Sequence, residues 1–128
     1  MYDRLADIAG QEFGAIVIRS QTIGRRAGVP LKLRLFVRDG SYVDVWLSLD
    51  QQRYVYHWEQ RAVRGLIHRH DNAPDHPHIS THPKHFHNGD EATVEESHLP
   101  DEAPDALRTF LRFVERQLAG YGASGLRS

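Results

Sequence analysis

Seven of the nine histidines in this chain lie between His68 and His87, and five of them fall in the run D-N-A-P-D-H-P-H-I-S-T-H-P-K-H-F-H at residues 71–87. Imidazole gives and takes a proton near neutrality and is also the commonest metal ligand, so two chemistries compete for this segment. In the first, the rings act as general acid and base. In the second, His76, His85 and His87, with Asp71 or Asp75, hold a divalent ion such as zinc, nickel or iron. Neither H-E-x-x-H nor another established ligand spacing is present, which leaves the metal pattern unspecific. In an extended stretch His85 and His87 share one side, about 7 Å apart. Pro74, Pro77 and Pro83 fix their own φ and push the preceding residues into extended backbone, so the segment reads as a stiffened loop that is neither helical nor a central strand. A loop of roughly twenty residues inside a small domain is usually functional or disordered; Ile79 and Phe86 offer anchors for an ordered one.

The chain around this segment has 128 residues, enough for a single domain over 1–128, with an ordered core expected at about 13–120 and a flexible tail at 121–128. It contains no cysteine, which removes disulfides, thiolate zinc sites and a cysteine nucleophile. The N-terminus M-Y-D-R-L-A-D-I-A-G does not read as a secretory signal, and no stretch approaches the roughly 20 apolar residues of a membrane span. A cytoplasmic protein without membrane contact is the expectation. A formal net charge of -1 argues against a nucleic-acid coat working by bulk positive charge. The distribution is uneven, however. Residues 19–38 carry Arg19, Arg25, Arg26, Lys32, Arg34 and Arg38 and no acid, whereas seven of the sixteen residues 90–105 are acidic. The arginines make one basic face or simply the solvated sides of strands.

Positioning falls to a β-rich frame. Leu31 to Arg38 alternates apolar and basic, Asp39-Gly40 is a hairpin signal for a type I′ turn, and Tyr42 to Leu49 alternates again. Turns at Asp50-Gln51-Gln52 and near Gln60 to Ala62 lead to strands at Tyr54–Trp58 and Leu66–Arg69, and Ala15–Ile18 makes another before the Gly24 to Pro30 loop. Short links exclude parallel crossovers. The fold class is therefore α+β: a four- to five-stranded antiparallel β-meander packed against a long C-terminal helix, with a short N-terminal helix at residues 3–10. The long helix is expected from Asp101, as N-cap, to Leu118, with Gly120 ending it; Leu107, Phe110, Leu111, Phe113, Val114 and Leu118 form its apolar stripe.

Several residues near the cluster have plain structural readings. His68 sits in a strand as a face residue, His70 closes that strand, and His98 has no assigned role. Asp71-Asn72 is as readily a turn as a catalytic pair, with the structural role favoured for Asn72. Tyr56 and Trp58, as strand aromatics, more often bury area than stack on a ligand.

The run Tyr56-His57-Trp58, then Arg69-His70-Asp71-Asn72-Ala73-Pro74, His76-Pro77, Thr81, Pro83, His85, His87 and Gly89-Asp90-Glu91 resembles the signature of the TumE-type toxins of type II toxin–antitoxin systems. The family pattern is approximately D-N-A-P-H-H-P, about three residues, then T-F-P-H-H-K-H. This chain has Asp75 for the first histidine of the first pair, His82 for the phenylalanine, Lys84 for a histidine and Phe86 for the lysine. The resemblance covers roughly residues 15 to 118, and its specific part is about twenty residues long.

That resemblance implies a DNA-binding antitoxin as partner and RNA or the ribosome as target, and leaves a homodimer open. Metal-independent RNA cleavage needs a base for the 2′-OH proton, an acid for the leaving 5′-oxygen and cations for the phosphorane charge. His76, His85 and His87 supply base and acid, with Asp71 beside them and Arg69 and Lys84 stabilising charge; Tyr56, Trp58, Phe86 and Arg34 are the candidates for substrate contact. No cofactor is needed on this reading. The alternatives are a histidine-rich metal protein, with zinc or nickel on His76, His85 and His87, and a non-enzymatic toxin that stops translation by binding alone.

Overall fold

The computed structural model describes the backbone of residues 1–127 and the side chains of residues 1–121. The chain runs through α1 (Tyr2–Glu12), β1 (Val17–Arg26), β2 (Val29–Val37), β3 (Tyr42–Leu47), β4 (Tyr54–Gln60), the single turn α2 (Arg61–Arg64), β5 (Leu66–Asp71), β6 (His85–Gly89), β7 (Val94–Glu96) and α3 (Ala103–Arg127). The strands form one antiparallel sheet in the order β1-β2-β3-β4-β5-β6-β7, an uninterrupted meander. The architecture is the expected α+β class, with seven strands instead of four or five. The two extra strands, β6 and β7, lie inside the histidine and acidic stretches. Neither carries the apolar alternation that marks β2 to β4, so the residue pattern hides them.

Hairpin chemistry sets the register. Ala27 (φ 51) and Gly28 (φ 81) form the tight turn between β1 and β2, and the strands extend to it, replacing the expected Gly24 to Pro30 loop. At Asp39-Gly40 only Gly40 has positive φ, at 92°. Gly40 N–H donates to Val37 O at 3.0 Å, while Asp39 Oδ1 accepts from Ser41 N–H at 2.9 Å. The turn is thus the three-residue, glycine-bulged kind instead of type I′, with the aspartate side chain holding the backbone that a second positive φ would otherwise shape.

One face of the sheet is covered. Leu33, Leu35, Val43, Val45, Tyr56 and Trp58 point at α1 and α3, which meet them with Leu5, Ile8, Ala9, Leu107, Phe110, Leu111 and Val114 in one core. Tyr56 and Phe110 pack edge to face at 6.4 Å between centroids. Fully burying such a side chain is worth about 1.5–3 kcal/mol, which is why the helical stripe and the strand alternation must meet. Tyr2, at the start of α1, accepts the Leu47 N–H at 3.0 Å and donates to Leu31 O at 3.0 Å, pinning that helix to the sheet end. α3 begins at Ala103 instead of Asp101, whose carboxylate turns to Lys84 Nζ at 3.2 Å. It also continues past Gly120 to Arg127. The side chains beyond Tyr121 and all of Ser128 lie outside the described residues, so the expected tail flexibility does too. No helix among the described residues is long and apolar enough to cross a membrane.

The opposite face carries no helix. Period-two alternation puts Arg34, Asp44, His57, Arg69 and His87 on it, and the strand register aligns them in one row: Arg34 opposite Asp44, Asp44 opposite His57, His57 opposite Arg69, Arg69 opposite His87. A second row runs from Trp46 through Val55 and Asp71 to His85.

Candidate functional site

Strand parity divides the histidine cluster. His68 and His70 pair with Trp58 and Tyr56 across β4 and β5, so their rings join the helix-covered face. His68 is buried against Trp58 and Phe113 and shares a 2.9 Å hydrogen bond with Gln60 Nε2. His70 stacks on Phe86 at 4.2 Å between centroids and bonds Ser97 Oγ at 2.7 Å. Burial drives the His70 pKa down to about 3, so this ring is neutral packing material. His78 and His82 stand exposed on the loop.

His76, His85 and His87 come together on the open face. One ring nitrogen from each lies within 4.8 Å of the other two. Ring centroids are 4.6 Å apart for His76 and His85, 5.6 Å for His76 and His87, and 5.0 Å for His85 and His87. β6 supplies His85 and His87 because residues two apart in a strand share a face. The loop at 72–84 supplies His76 by folding back over β6 through a series of turns, among them His82 N–H to Ile79 O at 2.9 Å and Lys84 N–H to Thr81 O at 2.9 Å. Thr81 Oγ1 fixes the loop to Ser97, the residue after β7, by accepting its N–H at 3.0 Å. The segment expected to be one long loop is therefore thirteen residues of linked turns followed by a strand.

Asp71, the last residue of β5, faces this group. Its Oδ1 lies 3.0 Å from His85 Nε2 and its Oδ2 lies 3.8 Å from His87 Nε2. It is also a turn residue, since Oδ1 accepts from Ala73 N–H at 3.0 Å. Asn72 is structural: its Oδ1 accepts from Tyr54 N–H at 3.0 Å and its Nδ2 donates to Gln52 O at 2.7 Å. The other ring nitrogens are tethered to backbone, His85 Nδ1 to Pro83 O and His87 Nδ1 to Glu91 O, both at 3.0 Å. A carbonyl oxygen only accepts, so each Nδ1 carries a hydrogen and each Nε2 turns toward the carboxylate. Burial holds the His87 imidazole below its ordinary pKa.

Arg69 lies beside the centre. Its Nε reaches Asp71 Oδ2 at 3.2 Å, its Nη1 meets His57 Nδ1 at 3.3 Å, and its guanidinium grips Glu91 at 2.7 and 2.5 Å. That grip pulls the Glu91 pKa down to about 2. Arg34 is on the same face but farther away, bound to Asp44 at 2.8 and 3.0 Å and resting over Tyr42. Lys32, Arg34, Asp44, Trp46, His57 and Arg69 line part of an open depression of about 470 Å³.

Four assignments change. Tyr56 and Trp58 are 1% and 0% exposed under α3, on the far side of the sheet from His76, so neither presents a ring to a ligand at this centre. Phe86 faces the same way, between His70, His68 and Phe113. Lys84 also points to the helix side, with Nζ on Leu99 O and Asp101, because it is one residue out of phase with His85. In their place the open face offers Trp46, 38% exposed, together with His57 and Glu91. The signal for Trp46 and His57 was present in the alternation: if Val45 and Trp58 are core, Trp46 and His57 are not. Glu91, part of the Gly89-Asp90-Glu91 stretch of the resemblance but given no role there, is brought in by the β6–β7 turn.

The histidine-bearing segment and the strands that hold it fall within a match to one protein-family model, described as Toxin TumE, over residues 12–118. No curated protein and no solved structure matches the chain. A match over most of the length, with the convergent histidines inside it, establishes that the chain belongs to the TumE toxin family.

Proposed function

We propose that this toxin arrests growth by cleaving RNA at the centre formed by His76, His85, His87 and Asp71, and that a DNA-binding antitoxin restrains it. The observation carrying this reading is the convergence of three imidazoles and a carboxylate at the end of a row of polar and cationic side chains on the open face. From His85 to Trp46 is three strand spacings of about 4.8 Å, on the order of 14 Å, a span of two or three nucleotides of single strand. Arg69 and Arg34 suit the phosphates, and the Trp46 ring suits a splayed base. Acid–base chemistry at such a site transfers the 2′-OH proton away, lets that oxygen attack phosphorus and protonates the departing 5′-oxygen.

One observation favours a second way of running the same site. His85 and His87 are 1% and 5% exposed, so substrate meets His76 before it meets either of them. Buried imidazoles with carbonyl-tethered Nδ1 atoms are better placed to hold an ion than to touch a ribose.

Induced expression of the wild-type chain without its antitoxin, set against His76→Ala and His87→Ala, tests the function. Arrest accompanied by RNA fragments ending in 2′,3′-cyclic phosphate, and lost in both folded variants, is the expected result. Arrest with intact RNA would point to a toxin that blocks translation by binding.

A further inference from the structure

We infer that His76, His85 and His87 bind one divalent ion of the zinc class, with the Asp71 carboxylate beside it. The inference shares its residues with the proposed RNA-cleaving centre, but it stands on ligand geometry and is measured without RNA.

Four observations carry it. First, a tetrahedral ion with metal–nitrogen bonds of about 2.0–2.1 Å needs its nitrogens roughly 3.3 Å apart. The three imidazole nitrogens already lie within 4.8 Å of one another, and His76 rides on a loop, so a closure of about 1.5 Å suffices. Second, His85 Nδ1–H and His87 Nδ1–H are both held by carbonyl oxygens, of Pro83 and Glu91 at 3.0 Å. This outer hydrogen bond fixes the tautomer in which Nε2 carries the lone pair, and metal-binding histidines almost always make it.

Third, those Nε2 atoms face Asp71 oxygens at 3.0 and 3.8 Å. A lone pair against a carboxylate repels unless a positive charge stands between them. A divalent ion placed there would meet both rings and the carboxylate at once. Asp71 is itself held by Arg69 Nε at 3.2 Å and Ala73 N–H at 3.0 Å, which fixes its direction. Fourth, the burial is graded. His85 and His87 sit within the sheet layer at 1% and 5% exposure, whereas His76 is half-buried on the solvent side. Three protein nitrogens with one more accessible flank make an incomplete coordination shell, as in zinc sites that keep a position for water or substrate. Imidazole donors without thiolate suit zinc, nickel, cobalt and iron(II) over calcium or magnesium.

The test uses untagged full-length protein, because a purification tag of histidines would bind the same ions. After chelator exchange, Zn2+ is titrated calorimetrically, and Co2+ is added as an optical probe whose intense visible bands report a tetrahedral nitrogen site. Expected are one ion per chain, tetrahedral Co2+ bands, and a rise in melting temperature with Zn2+. His76→Ala should weaken binding by on the order of 100-fold and abolish the thermal shift; because His76 lies on the loop outside the core, its fold is checked by circular dichroism. His78→Ala, an exposed neighbour, should bind as the parent does.

Absence of stoichiometric binding, or binding unchanged in a folded His76→Ala protein, overturns the inference. Equal loss in His76→Ala and His78→Ala also overturns it, as the mark of adventitious surface chelation. RNA cleavage by protein that binds no ion would leave the proposed function standing and this inference refuted. An ion bound as described by protein that leaves RNA intact would do the reverse.

Discussion

The two faces of the sheet use the same residue type for opposite purposes. Under α1 and α3, His68 and His70 are planar packing units wedged among Trp58, Phe86, Phe110 and Phe113, each with one hydrogen bond to a neutral partner. On the open face, His85 and His87 are polarised groups, with one nitrogen on a carbonyl and the other toward Asp71. A shift of one residue along a strand separates the two fates. Burial alone therefore does not make a histidine structural, since His85 is more buried than His68; what differs is whether a charge faces it.

The largest effect that tests this contrast is on the open face. His87→Gln keeps a polar side chain of similar reach but removes the ring, and should lower RNA cleavage by about 10²–10⁴-fold. Because His87 is buried, the variant's fold is checked by circular dichroism and its cleavage is compared per folded molecule. A variant that folds and cleaves normally would break the contrast at its functional end. On the covered face the prediction inverts: Phe110→Ala should cost about 3–5 kcal/mol in urea unfolding, because the ring is 1% exposed and contacts Tyr56, His70 and Phe113. The cleavage rate per folded molecule should hold, measured at a temperature where both proteins are folded.

Acid sharpens the comparison further. The His70 pKa lies near 3 in the folded protein and near the ordinary histidine value of about 6.5 in the unfolded chain. Between those values the unfolded state binds the extra proton, so stability falls as the pH drops through this window, by on the order of 3 kcal/mol at about pH 4.5. His68 and His87, both lowered by burial, act in the same direction. Thermal melts from pH 7 to pH 4.5 should show the loss, and His70→Phe should flatten its slope. An unchanged slope would place the acid sensitivity elsewhere, most directly in His68 and His87.

The smallest effect belongs to Trp46. Replacing this half-exposed ring with alanine should leave the melting temperature nearly unchanged but raise KM for an RNA oligonucleotide by roughly tenfold, the range of one lost base stack. A Trp46→Ala protein with the parent KM would move the proposed substrate path off this row of the sheet.

Much of the frame was legible. β2, β3 and β4 announce themselves because each alternates cleanly between large apolar and polar residues, and the α3 stripe repeats at helical spacing. The candidate centre was legible as a list, since His76, His85, His87, Asp71 and Arg69 do meet. The aromatic partners depend on parity: Tyr56 and Trp58 share a parity with the core valines across the hairpin, as strand aromatics more often do, and Trp46 has the other.

What the sequence determined by itself are the local periods: which segments alternate, that Asp39-Gly40 turns the chain, and that His85 and His87 share a side. Tertiary structure decided which side that is. β5 has one strong apolar residue of each parity, Leu66 and Ile67, so its own pattern does not choose a face; its register against Trp58 and Tyr56 sends His68 and His70 to the helices and Asp71 to the open side. The meeting of His76 with His85 is likewise nonlocal, because it depends on linked turns at 72–84 and their anchor on Ser97, just after β7. Side-chain alternation is a property of neighbouring residues, but the assignment of the two faces depends on where the helices pack, and that contact is made across the whole chain.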